Sequence, residues 1–220
     1  IKISWQGKQV LNKYFKESLP IFISNFSTTI YLNTSKVILG IFIGMKEVAY
    51  FELAEKLSLI LKTPVQLIGQ SVFPHVAREK NMSFLRKTFY LSSVGALFIM
   101  VFGIVFSEFI IKLAGGPEML DAIKPFQIMI ISIIPVTISL FFANITLISW
   151  NYNFEFLKLR IYANLLYIIL VVTVVLLNQV NILTMSWILF VVEMFVAAYS
   201  IIQCSGKGIN FLRRQVQNTL

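Results

Sequence analysis

Two groups of polar and ionisable side chains recur at helical spacing inside otherwise apolar stretches of this 220-residue chain. Asn25, Thr29, Asn33 and Lys36 follow one another at four, four and three residues, which places them on one face of a helix. Glu52, Glu55, Lys56, Thr63, Gln66 and Gln70 lie close to a second stripe, and Glu193 stands inside a third apolar run. Ionisable groups at hydrocarbon depth face a bundle interior or a wet cavity. The chemistry they suggest is a cationic site in an aqueous cavity. Glu52 and Glu55 would tune the cations or carry protons. Glu193 would be protonated by desolvation in one state and ionised in another.

Each group also has a plainer reading. Lys36 lies about ten residues before the hairpin tip near Met45 and Lys46, and Glu55 and Lys56 about ten after it, so at 1.5 Å per residue they share one depth. An ion pair of Lys36 with Glu55 or Glu52, or of Glu52 with Lys56 at i, i+4, would then account for them. Lys36 could equally snorkel to the interface, and Glu193 could stay neutral and hydrogen-bonded. A buried Lys costs at least about 3 kcal/mol on insertion scales, which weighs against a role in packing alone.

Catalytic groups are scarce. There is one His (His75), one Asp (Asp121) and one Cys (Cys204). Zinc needs clustered Cys and His, and the sequence has no Walker-type phosphate loop. Glu118 and Asp121 lack a third ligand for a metal. His75 reads as an interfacial polar residue and Cys204 as a packing residue. No paired carboxylates are set up for acid–base work. No catalytic residue, metal or cofactor is expected.

The elements that position these residues follow from composition. The chain is 57% hydrophobic and 13% charged, too little polar surface for a soluble fold of this size. No charge occurs between Glu17 and Lys36, Lys87 and Glu108, Lys124 and Glu155, or Arg160 and Glu193. A span needs about 20 apolar residues. The last run is too long for one span, and Asn178 to Asn181 break it. The expectation is an all-α integral membrane protein, a six-transmembrane-helix bundle over 19–204 with spans at 19–43, 49–76, 88–107, 123–148, 159–178 and 182–204. Pro64 and Pro135 would kink the second and fourth spans. The turn at Gly115 to Asp121 opens the fourth, with Pro117 near its first position.

Net charge is +9, yet the basic residues stand between spans. They therefore orient the chain rather than bind nucleic acid. Thirteen Lys and Arg fall on one side (Lys2, Lys8, Lys13 and Lys16; Arg78, Lys80, Arg86 and Lys87; Lys158 and Arg160; Lys207, Arg213 and Arg214). Only Lys46, Lys112 and Lys124 fall on the other. Both termini are expected in the cytoplasm, with 1–18 an interfacial amphipathic segment in contact with membrane lipids and 205–220 a tail. The chain opens on Ile1 rather than Met and shows no cleavable signal segment, as expected of a piece of a longer protein.

The stretch Phe15-Lys16-Glu17-Ser18-Leu19-Pro20-Ile21-Phe22-Ile23-Ser24-Asn25 carries a family resemblance. So do Val37-Ile38-Leu39-Gly40 and Tyr50-Phe51-Glu52-Leu53-Ala54-Glu55-Lys56. With Gln66 to Pro74 and the turn at Leu113 to Leu120, they resemble polysaccharide flippases of the Wzx (O-antigen transporter) type, in the multidrug/oligosaccharidyl-lipid/polysaccharide exporter superfamily. The resemblance implies two six-helix bundles around a central cavity, of which this chain is similar to the second. It implies a bacterial inner-membrane protein that flips an undecaprenyl-pyrophosphate-linked oligosaccharide by alternating access. The missing N-terminal bundle and a polysaccharide polymerase would be its protein partners. On that reading Lys36 and Lys56 meet phosphate as point charges, and Asn25, Asn33, Gln66 and Gln70 meet sugar hydroxyls. A multidrug exporter of the same superfamily, a membrane polysaccharide polymerase and a non-transporting fragment are the alternatives.

Overall fold

A computed structural model describes residues 33–212 together with Leu19 and Phe22. Among these residues the fold is helical, without strands. α1 covers 33–42 and turns at Gly44 (φ 130°), a backbone angle that suits glycine. α2 follows over Met45–Glu79 and α3 over Met82–Val105. α4 (Ser107–Gly115) is a short helix that the apolar pattern did not announce. Gly116 (φ 82°) then admits a 3-10 turn, Pro117–Ala122, with Pro117 in its first positions. α5 (Ile123–Ile131), α6 (Ile133–Ser139) and a π-helical segment (Leu140–Leu147) continue that run. α7 (Asn153–Leu176) and α8 (Ile182–Gly206) complete the bundle. Asn81 and Asn181 cap α3 and α8 by accepting from the N–H of Phe84 and Thr184, which ends the apolar run where the polar residues fall.

Four helical runs are long and apolar enough to cross a bilayer: Met82–Val105, Pro117–Leu147, Asn153–Leu176 and Ile182–Gly206. The chain is a multi-pass helical membrane protein. The expected count of six is not reached among the described residues. α2 is the longest helix, about 52 Å at 1.5 Å per residue, but its polar stripe keeps it outside the apolar set. Only part of the first expected span, which holds Asn25, is described.

The span expected over 123–148 is assembled from pieces. Pro135 has no N–H for the Ile131 carbonyl and crowds the preceding turn, and the α-helix breaks at Ser132. Farther on, the Thr146 hydroxyl donates to the Phe141 carbonyl (2.7 Å) and the Cys204 thiol to that of Phe142 (3.3 Å), side-chain support for the wider π turn. α2, by contrast, runs unbroken through Pro64 and Pro74. The core centres on Phe89, Phe141, Phe142 and Phe211, whose rings meet at 4.5–6.0 Å between centroids. Arg86 Nε donates to the Phe211 carbonyl at 2.6 Å and holds that aromatic residue under the bundle.

Candidate functional site

A cavity of about 660 Å³ runs along one face of α2. Its α2 wall carries Glu55, Ser58, Lys62, Gln66 and Gln70, ending at Phe73, at steps of three and four residues. From Glu55 to Phe73 that wall extends about 27 Å, close to the roughly 30 Å of a hydrocarbon core. The facing wall comes from three other elements. Ser132, Ser139 and Asn144 belong to the broken span, Arg160 to α7, and Ser186 and Glu193 to α8. Gly69 lets α2 and the π segment come close; a Cβ there would lie 2.7 Å from Leu140 Cδ2.

Lys62 is the charged centre of this space. The residue is 7% exposed, and its Nζ donates to Ser132 Oγ at 2.8 Å. The Ser132 hydroxyl in turn donates to the Met129 carbonyl at 2.7 Å, so its one proton is used and its oxygen faces Lys62 as an acceptor. Glu193 from α8 and Glu55 from α2 supply the negative field around the ammonium. At the α7 side of the cavity, Arg160 Nη2 donates to Asn144 Oδ1 (3.3 Å), and its guanidinium lies 5.4 Å from the Phe156 ring centroid. The cavity thus offers two cations, two carboxylates and a wall of hydroxyl and amide groups. That surface suits a polar, hydroxyl-rich ligand bearing negative charge.

The residues singled out from sequence divide into three sets. Gln66, Gln70, Glu55 and Glu193 line the cavity. Lys36, Lys56, Asn33 and Glu52 do not. Lys36 Nζ pairs with Glu55 Oε2 at 2.8 Å, next in sequence to the Ser35–Tyr167 hydroxyl contact (2.7 Å) that joins α1 to α7. Lys56 pairs with Glu52 at 2.9 Å on an outer face, where the Lys56 side chain is 67% exposed. Asn25 lies outside the described residues.

The described part of α1 does not line the cavity, whereas Ser132, α6, the π segment, α7 and α8 all bring polar groups to it. Glu193 lines the same cavity as Lys62. Lys62 itself was overlooked, although it stands seven residues after Glu55 and four before Gln66, squarely on their stripe. His75 meets Glu79 at 3.3 Å outside the cavity. A second cavity of about 550 Å³ lies where α2, α5 and α8 begin, beside Glu47, Asp121 and Lys124. Among the described residues no group of three His, Cys, Asp or Glu could hold a metal ion.

Comparison with known proteins places this geometry in context. A family model described as "Polysaccharide biosynthesis protein" matches residues 5–80, which include α1 and all of α2. The chain is 27% identical over 183 residues to a "Putative O-antigen transporter" of Escherichia coli (strain K12), covering 76% of this chain and 43% of that protein. The chain thus spans less than half the length of the curated relative it matches. No solved structure gives a significant match.

Proposed function

We propose that this chain forms part of a flippase that carries a lipid-linked oligosaccharide across the bacterial inner membrane for surface polysaccharide synthesis. The observation that carries this reading is the buried Lys62 in a polar cavity running about the thickness of a hydrocarbon core. A buried ammonium is costly to hold in an apolar bundle, which favours a polar ligand for the cavity. Ser, Gln and Asn side chains offer hydroxyl-matching groups along the wall, and Lys62 and Arg160 offer cations for a phosphate or diphosphate. The similarity to an O-antigen transporter and to polysaccharide biosynthesis proteins supports the same cargo class. The protein acts as a carrier rather than an enzyme. Movement of cargo would come from this bundle rocking against a second one, so that the cavity faces each side in turn. Both termini lie in the cytoplasm on this reading, as the basic flanks indicate.

The test is surface polysaccharide in a strain deleted for the gene. The full-length gene restores the polymer, and a Lys62→Met version at normal membrane abundance lowers it by at least about tenfold, as expected for loss of one charge-assisted contact. Unchanged polymer in that variant removes the cavity from the pathway. A lipid-linked precursor trapped on the cytoplasmic leaflet separates a transport defect from loss of a polymerase.

A further inference from the structure

Lys62 does more than decorate the cavity wall, because its hydrogen bond lands on a break in the facing span. Ser132 is the residue between α5 and α6. Pro135 removes the backbone bond that would otherwise tie the next turn to Ile131, and the chain is held there by the Val136 N–H to the Ser132 carbonyl (3.0 Å) and by the Ser132 hydroxyl to Met129. The contact from Lys62 on α2 is the cross-tie to that joint from a neighbouring helix. An ammonium has three donors. One is on Ser132. The same cavity is lined by Glu55 on α2, itself paired with Lys36 of α1, by Glu193 on α8 and by Arg160 of α7.

We propose that Lys62 is a latch on the α5–α6 joint, and that a phosphate-bearing group entering the cavity releases the joint by taking the ammonium away from the Ser132 hydroxyl. A neutral hydroxyl is a weaker acceptor than a phosphate oxygen, so the exchange is downhill once the anion reaches Lys62. The segment freed carries Ser139 and Asn144 of the same cavity wall and packs on α2, α3 and α8. Cargo recognition and movement of a wall are thereby joined in one side chain. This deepens the transport reading and depends on it only for the identity of the anion.

Amide hydrogen exchange in the full-length protein in lipid nanodiscs tests the latch, followed over the peptide spanning 128–137, with inorganic pyrophosphate as the probe and sulfate at equal ionic strength as the control. Pyrophosphate should speed exchange at the joint by about tenfold in the unaltered protein, the worth of one hydrogen bond to a charged group. Ser132→Ala should show the fast rate without any anion and no further response. Lys62→Met should behave as Ser132→Ala does; the alanine variant carries the test if the methionine variant fails to fold. Slow exchange in Ser132→Ala overturns the latch, and so does an unaltered protein indifferent to pyrophosphate. Surface polymer unaffected by Lys62→Met, with exchange responding as described, would sink the flippase reading and leave the latch standing.

Discussion

Two lysines on α2 stand six residues apart and lead opposite lives. Lys62 is buried on the cavity side and held by Ser132. Lys56 is two-thirds exposed and paired with Glu52 on its own helix. The separation along the axis is only about 9 Å, but at about 100° per residue the two side chains point about 120° apart. Lys62 instead falls within about 20° of Glu55, seven residues earlier. What decides whether a charge in a span joins a site is its angle around the helix. Composition and neighbouring residues in sequence do not report that angle.

The widest break in this contrast, beyond Lys62 itself, is at Glu55, which belongs to both settings. It lines the cavity and also neutralises Lys36 through a 2.8 Å contact. Glu55→Gln leaves an ammonium that is one-quarter exposed beside an amide. Breaking a fully buried pair costs about 3–5 kcal/mol, and an exposed pair contributes about 0–1 kcal/mol. A loss of about 2 kcal/mol is expected here, measured by denaturant unfolding in detergent. Lys36→Met combined with Glu55→Gln should recover part of it, because no unpaired charge remains. A double variant no better than the single one would show that the pair does not stabilise the bundle.

Arg160 sharpens the comparison from the far wall. Its guanidinium spans the Asn144 amide and the Phe156 ring, a geometry that lysine cannot reproduce. Arg160→Lys should cost about 1 kcal/mol of stability, since both contacts are modest. It should lower surface polymer less than Lys62→Met does. Equal loss in the two variants would mean that the two cations act as one site rather than as a centre and a flank.

How far these roles could be read from the sequence follows the same geometry. The α2 stripe was legible in Glu55, Gln66 and Gln70, because helical phase is a local property. Lys62 belongs to that list by its spacing of seven from Glu55 and four from Gln66. The Lys36–Glu55 and Glu52–Lys56 pairs were legible as one set of alternatives, from hairpin depth and from i, i+4 spacing. That Glu193 shares a cavity with Lys62 was not, because no periodic rule links residues so distant in the chain. Pro135 announced a disturbance in its span; that the break would fall at Ser132 and bind Lys62 depends on how α2 packs against it. The apolar contributions of α5 to α8 concealed a handful of Ser and Asn residues whose importance comes only from the wall they share.

The smallest expected effect is the most direct check on the contrast between the two lysines. Lys56 makes an i, i+4 pair on an outer face, in the Glu-before-Lys order that suits a helix. Exposed pairs of this kind contribute about 0.3–0.5 kcal/mol. Lys56→Ala should therefore change unfolding by no more than about 0.5 kcal/mol and leave surface polymer at the unaltered level. Because Lys62 keeps its Ser132 contact in this variant, exchange at the α5–α6 joint should also be unchanged. Loss of polymer in Lys56→Ala with Lys62→Met intact would invert the assignment: the cargo would then meet the outer face of α2, and the cavity would be a packing feature with a buried lysine in it.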